Sequence, residues 1–207
     1  WLPLETDEAG FLRSSDQNRK TLEKQLSRAN AVLLGCGLGV TEETRRLVHW
    51  VLEQAVCPVV LDADGLNCAV SCIELSRRTG KDWILTPHPG EMARLCGVTA
   101  REIESDRVKY ARDFAKKYGC ILVLKGANTV VAAPDSEITF NTTGNPGMST
   151  GGSGDVLAGI TVSLLAQGLE PLAASKAAVY LHGEAGDKAA KKRGERAMLP
   201  TDLTEEL

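Results

Sequence analysis

Long apolar runs are absent from this 207-residue chain. None approaches the ~18–20 residues of a membrane-spanning helix, which excludes a protein anchored through such helices. A basic surplus is absent too. Lys and Arg total 24 against 27 Asp and Glu, a net charge of −3, so no general nucleic-acid partner is expected. The local run Lys188, Lys191, Lys192 and Arg193 reads as a solvated helix face. Trp1-Leu2-Pro3-Leu4 opens the chain with no initiator Met and no basic leader, which reads as a fragment or a processed chain. No internal repeat or linker-like stretch interrupts the sequence. The six cysteines, at 36, 57, 68, 72, 96 and 120, follow neither zinc-ligand nor CxxC spacing. Most have apolar neighbours and read as small, buried, reduced residues of a cytoplasmic protein, with no metal site among them.

What is present is a regular alternation of strand-like and helix-like segments. Apolar runs at Ala31–Leu34, Pro58–Leu61, Trp83–Leu85 and Ile121–Leu124 predict strands. Thr129–Ala133 and Glu137–Phe140, joined by Pro-Asp-Ser, predict a hairpin. Thr41 caps a helix to about Gln54, and Leu66–Arg78 reads as a helix stopped by Gly80. Thr99–Glu102 is a capping box opening a helix to Tyr118, stopped by Gly119. Helices follow over Gly152–Ala166 and Pro171–Lys192, and a short one starts at Pro200. Nearly all-apolar strands between helices predict one α/β domain over 1–207, its largely parallel sheet covered on both faces.

The richest stretch is Asn141–Gly159, NTTGNPGMSTGGSGDVLAG, with six glycines leading into an apolar helix. Such a loop points backbone N–H groups inward, and the helix start adds its own, so the two together make an anion site suited to phosphate. Asp155, in the first helical turn, is placed to take a proton from a hydroxyl attacking phosphorus; its bland role is to complement the helix dipole. Three other motifs fail. Ser153 stands where a Walker A lysine belongs, Asp155 replaces the last glycine of GxSxG, and His182-Gly183-Glu184 lacks the PCxxC of the deaminases. Gly35-Cys36-Gly37-Leu38-Gly39 falls one residue short of GxGxxG; it is either a backbone approach for a ligand or a site of close packing. Thr86-Pro87-His88-Pro89-Gly90-Glu91 ends a strand, where α/β sheets bind ligands, and its prolines predict a rigid extended loop presenting His88. Asp62 and Asp64 end another strand, to hold water or magnesium or to cap the next helix. Lys125-Gly126-Ala127-Asn128-Thr129 ends a third, where the lysine meets a phosphate or is simply solvated.

Together, Asn145-Pro146-Gly147-Met148, the run Thr150–Gly159 and the Thr86–Glu91 loop resemble the nucleotide-dependent NAD(P)H-hydrate dehydratases. The resemblance extends from about Ala31 to the C-terminus. It implies a ribokinase-like three-layer α/β/α sandwich, and repair of NADH and NADPH hydrated on the nicotinamide ring. A nucleotide phosphorylates the hydrate's hydroxyl, then phosphate leaves and the ring double bond returns. Carried over by position, Asp155 is the base and contacts the substrate. Gly152, Ser153 and Gly154 form the anion hole. Lys125, Gly126, Ala127, Asn128 and Thr129, with Asn145, contact the nucleotide. Gly37, Gly39 and His88 contact the hydrated dinucleotide. The implied reactants are ADP, less readily ATP, with Mg²⁺, and the implied assembly is a homotetramer. The family also carries further N-terminal strands and an alanine-containing substrate contact ahead of this chain's start. Two other readings use the same loop: a vitamin kinase acting on a thiazole, pyrimidine or pyridoxal hydroxyl, and an inactive nucleotide-binding fragment.

Overall fold

The computed structural model describes residues 1–77 and 82–207. In chain order its elements are α1 (Asp16–Leu26), β1 (Val32–Leu34), α2 (Glu42–Gln54), β2 (Val59–Leu61) and α3 (Ala63–Ala69). A 3-10 segment (Val70–Arg77), β3 (Trp83–Leu85), α4 (Pro89–Cys96), α5 (Ala100–Ser105), α6 (Arg107–Tyr118) and β4 (Ile121–Leu124) follow. Then come β5 (Val130–Ala132), β6 (Thr139–Phe140), a 3-10 turn (Pro146–Met148), α7 (Ser153–Ala166), α8 (Pro171–Arg193) and α9 (Pro200–Glu205).

The sheet order is β1-β2-β3-β4-β5-β6. The first four strands are parallel, with registers Val32↔Val59, Val59↔Trp83 and Ile84↔Ile121; β4-β5-β6 is antiparallel. Strands laid down in sequential order with right-handed crossovers place their connecting helices on one face. That face carries the larger core, in which Leu61, Leu85 and Leu122 pack with Leu52 of α2, Leu66 of α3, Met92 of α4 and Phe114 of α6. The opposite face, Val60, Ile84 and Val123, is covered by Leu157, Leu165 and Val179 of α7 and α8. Alternate strand residues therefore serve two cores, which is why the strands are apolar throughout. Each buried Leu or Val contributes about 1.5–3 kcal/mol.

Local signals hold at most boundaries. Thr41 and Thr99 form capping boxes, and Gly119 ends α6 in the left-handed region. The basic run at the end of α8 is exposed, as its pattern predicts, and Lys192 and Arg193 also pair with Glu206, Glu205 and Asp202 beside α9. Three expectations need correction. The predicted helix from Thr99 to Tyr118 is two helices, broken at Asp106, whose φ of −155° is not helical and whose carboxylate caps α6 by accepting from the Lys109 N–H. The helix predicted from Leu66 starts earlier, at Ala63, and continues as 3-10 structure with a kink at Cys72; its predicted end at Arg78 and stop at Gly80 lie outside the described residues. The Thr86–Glu91 segment is not loop throughout. His88 is the N-cap of α4, Pro89 its first residue, and Glu91 closes a capping box on the His88 N–H.

Candidate active site

The carboxyl ends of β1 to β4 meet the start of α7 at one edge of the sheet, where open α/β sheets place ligands. Asp62, after β2, is 1% exposed. Its Oδ1 accepts from Thr86 Oγ1 at 2.7 Å and from Lys125 Nζ at 2.5 Å. The Lys125 ammonium also lies 3.8 Å from Glu91 Oε2. The lysine is therefore not a solvated strand end but a cation held between two carboxylates at the cavity wall. A Cβ placed on Gly154 would come 3.2 Å from this ammonium and 3.7 Å from Asp62 Oδ2, so the pair lies against the first turn of α7.

The chain between Asp62 and Asp64 passes through Ala63 at φ +47°, a left-handed conformation that costs a non-glycine residue about 1–2 kcal/mol. It separates the two aspartates. Asp62 turns toward Lys125, whereas Asp64 Oδ2 accepts the Gly39 N–H at 2.9 Å and pins the glycine turn after β1. Neither caps α3 through a side-chain bond to its helix start. Both readings of that turn have a place in it. Gly35, φ +137°, is a packing requirement, because a Cβ there would be driven into the Asp62 carbonyl. Gly37 faces open space. Between them, Cys36 brings its sulfur within 4.8 Å of carboxylate oxygens of both Asp62 and Asp155. Partial desolvation, then the charges of Asp155 and Asp62, push the Cys36 thiol up to about 12, with Lys125 opposing. The other cysteines are buried or half-buried, as their neighbours predict, but Cys36 is exposed at the site.

Beside this centre is a cavity of about 700 Å³. Lys125, Gly126, Ala127, Asn128, Thr129, Asn145, Ser153, Gly154 and His88 all line it. Gly152 sits at its edge as the N-cap of α7, its φ of +94° turning the loop into the helix, with no side-chain cap. Asp155 is exposed in the first turn. Gly37 and Gly39 do not line this cavity; Gly37 follows Cys36, whose sulfur lies within 4.8 Å of an Asp155 carboxylate oxygen. His88 uses its ring locally, with Nδ1 accepting the Gly90 N–H at 3.0 Å and Nε2 3.7 Å from Glu91 Oε1.

Three supporting residues escape sequence reading. His182 of α8 lines the cavity and lies 3.2 Å from Ser153 Oγ. Burial first, and then Lys125, lower its pKa to about 4, so the ring is neutral near pH 7. Asp187 accepts from the Gly144 N–H and from Asn145 Nδ2, fixing the glycine-rich loop on α8. Arg107 donates to the carbonyls of Leu124, Lys125 and Ala127, which fixes the Lys125–Thr129 segment. The His-x-Glu pattern was a visible signal for His182. For Asp187 and Arg107 the sequence holds none, because both act across long chain separations.

The donor set also bears on magnesium. The Lys125 ammonium stands between Asp62 and Glu91, and an Asp155 oxygen lies within 4.8 Å of an Asp62 oxygen, a net negative charge that a polyphosphate meets only with counter-ions. Cys36, a protonated thiol, and Asp62, already accepting two hydrogen bonds, are poor magnesium ligands. The residues fit an ion carried in on phosphate oxygens, with Asp155 as the accessible carboxylate.

The profile of the NAD(P)H-hydrate dehydratase family matches residues 4–207. The bifunctional NAD(P)H-hydrate repair enzyme Nnr of Moorella thermoacetica is 46% identical over 182 residues, 88% of this chain and 34% of that protein. The ADP-dependent (S)-NAD(P)H-hydrate dehydratase of Neisseria meningitidis is 46% identical over 161 residues, 76% of this chain and 54% of that one. The chain thus spans about a third of the first relative and about half of the second. Among solved structures, the ADP/ATP-dependent NAD(P)H-hydrate dehydratase of Bacillus subtilis, co-crystallized with ATP/Mg²⁺, superposes with a TM-score of 0.77 at 34% identity, over 89% of this chain and 66% of that one. A ribokinase-like superfamily protein of Enterococcus faecalis superposes with a TM-score of 0.75 at 29% identity, over 91% of this chain and 65% of that one. The fold is accordingly the ribokinase-like α/β/α sandwich.

Proposed function

The chain belongs to the NAD(P)H-hydrate dehydratase family, and from that premise we propose that it regenerates NADH and NADPH from their hydrates at the expense of a nucleotide, as a hydro-lyase. One observation carries the reading: a cavity of about 700 Å³ is lined by Lys125–Thr129, Asn145, Ser153 and Gly154 at an uncapped helix start, where the next residue, Asp155, is exposed. ADP is the favoured donor, since the Neisseria relative is named as ADP-dependent; ATP is the other candidate, given the Bacillus co-crystal.

The chemistry follows from the placement. Hydroxide is a poor leaving group and phosphate a good one. Asp155 takes the proton of the hydrate's hydroxyl as that oxygen attacks the terminal phosphorus. The bond from phosphorus to the bridging oxygen breaks, and with ADP the product is AMP. The ring nitrogen's lone pair then expels phosphate, and loss of a proton from the neighbouring carbon restores the double bond. The leading amides of α7 at Gly152–Gly154 stabilise charge on the transferring group. Lys125 orders this edge of the cavity through Asp62, and Lys125–Thr129 with Asn145 position the nucleotide. Gly37, Gly39 and His88 hold the dinucleotide. Mg²⁺ carried on the nucleotide's phosphate oxygens would supply charge neutralisation, leaving Asp155 to act as the base.

We further place the protein in the cytoplasm, as a homotetramer. Free thiols suit a reducing compartment, and no helix among the described residues is long and apolar enough to cross a membrane. Exposed Phe140 on the edge strand β6, with Tyr180 and Leu181 on α8, offers an apolar surface to a second copy.

The test is absorbance at 340 nm after adding the protein to purified hydrated NADH, with ADP and Mg²⁺, with ATP and Mg²⁺, and with neither nucleotide. A rise that requires nucleotide is the expected result, and its size with each names the donor. A stable phosphorylated product in place of NADH would replace the reading with a kinase.

A further inference from the structure

Next to the glycine turn, at Val40, the surface holds a second recess of about 440 Å³. Val40, Arg45, Asn67, Val70 and Arg94 line it. Arg45 comes from α2 and Arg94 from α4, and one asparagine of α3 holds both. Arg45 Nη1 donates to the Asn67 carbonyl at 2.8 Å, and Arg94 Nε donates to Asn67 Oδ1 at 2.8 Å. A guanidinium carries five N–H donors, so each arginine keeps most of its donors for another partner. Among the described residues neither arginine is in an ion pair. The carboxylate of this network is Asp64. Its Oδ1 lies 3.5 Å from Asn67 Nδ2, while its Oδ2 is taken by the Gly39 N–H. Two guanidinium groups with one shared, partly occupied counter-charge leave a positive recess whose geometry suits a phosphate.

We propose that Arg45 and Arg94 bind a phosphate group of the dinucleotide substrate, remote from its reacting ring. The inference rests on the dehydratase reading and adds to it the site for the substrate's distal half. Position supports it. Cys36 touches the Asp155 centre, and Val40, four residues on, lines the recess; four residues span at most about 14 Å. The hydrogen bonds Gly39–Asp64–Asn67 run from the turn to the arginines without a break. A dinucleotide with its ring at Asp155 carries its phosphates along this line. Its two sources of phosphate are the bridging pyrophosphate, common to both hydrates, and the 2′-phosphate, found only in hydrated NADPH.

The experiment measures KM and kcat for hydrated NADH and hydrated NADPH with Arg45→Gln, Arg94→Gln and the double variant, at saturating ADP. Loss of one charged contact is expected to raise the dinucleotide KM about tenfold, with kcat and the KM for ADP little changed. Arg94→Lys, which keeps the charge but not the fork, should recover part of the loss. A rise confined to hydrated NADPH assigns the recess to the 2′-phosphate, and an equal rise for both assigns it to the pyrophosphate. Unchanged KM for both hydrates, in variants that turn over normally, overturns the inference and leaves the dehydratase reading standing. Failure of the parent protein to convert either hydrate overturns the reading and the inference with it.

Discussion

Two carboxylates approach the same sulfur atom, and the protein treats them in opposite ways. Asp62 is buried, accepts from Thr86 and Lys125, and is 63 residues from its lysine in sequence. Asp155 is exposed in the first turn of an uncapped helix whose start lines the larger cavity. The first holds the strand ends together; the second is open to solvent. The difference lies in where each carboxylate's lone pairs go. Those of Asp62 already serve protein donors, whereas Asp155 is open to solvent, as the base we propose must be.

The largest expected effect tests that assignment. Asp155→Asn should lower turnover by about 10²–10⁴-fold with ADP still bound by calorimetry and the melting temperature unmoved. Normal turnover by this variant would put the base elsewhere. Asp62 should respond in stability instead. Lys125→Met leaves a buried carboxylate unpaired, and breaking such a pair costs about 3–5 kcal/mol. At roughly 2–4 °C per kcal/mol for a chain of this size, thermal melting should fall by about 6–20 °C. Adding Asp62→Asn should restore much of that loss, because the unpaired charge is then gone. If the double variant melts no higher than the single one, the pair is not what holds this edge of the sheet together.

His182 gives a third contrast, through pH. Its pKa is about 4 in the folded protein and about 6.5 in the unfolded chain. Between those values the unfolded state binds more protons, so stability rises with pH over that window and is lost as pH falls from 6.5 to 4. The full effect is at most about 3 kcal/mol. His182→Gln should flatten the curve between pH 4 and 6.5 in denaturant melts at stepped pH. An unchanged slope would mean that the ring is not desolvated against Ser153.

These contrasts also show what the sequence made legible. The parallel strands, the caps at Thr41 and Thr99 and the stop at Gly119 were readable because each rests on neighbours a few residues apart. The glycine-rich run and Asp155 were readable for the same reason. The break at Asp106 was harder to see, because the polar residues around it fit a continuing helix as well as a new cap. Helix α1 escaped notice because Leu22 and Leu26 are nearly its only apolar residues; it is fixed by Asn18, whose side chain accepts the Glu5 N–H and donates to the Glu5 and Arg13 carbonyls. The Lys125–Asp62 pair, the His182–Ser153 contact and Cys36 beside Asp155 join residues far apart in the chain. No local pattern encodes them, and only the folded sheet edge brings them together.

The smallest effect is the most specific to the comparison, since it reads both carboxylates through the sulfur they share. With the thiol pushed up to about 12, Cys36 is almost wholly protonated at pH 8. An accessible thiol with an ordinary pKa near 8.5 reacts there with iodoacetamide about a thousandfold faster, because the thiolate is the nucleophile. Cys36 is exposed, so slow alkylation mapped by mass spectrometry would reflect charge and desolvation rather than lack of access. Desolvation is the largest cause of the shift and Asp155 the next. Asp155→Asn should therefore speed alkylation of Cys36 only in part, leaving it slower than an ordinary thiol, while the buried Cys120 stays inert in both proteins. Equal rates in parent and variant would mean that the Asp155 charge does not reach the sulfur, and that the exposed carboxylate stands farther from the glycine turn than a shared site requires.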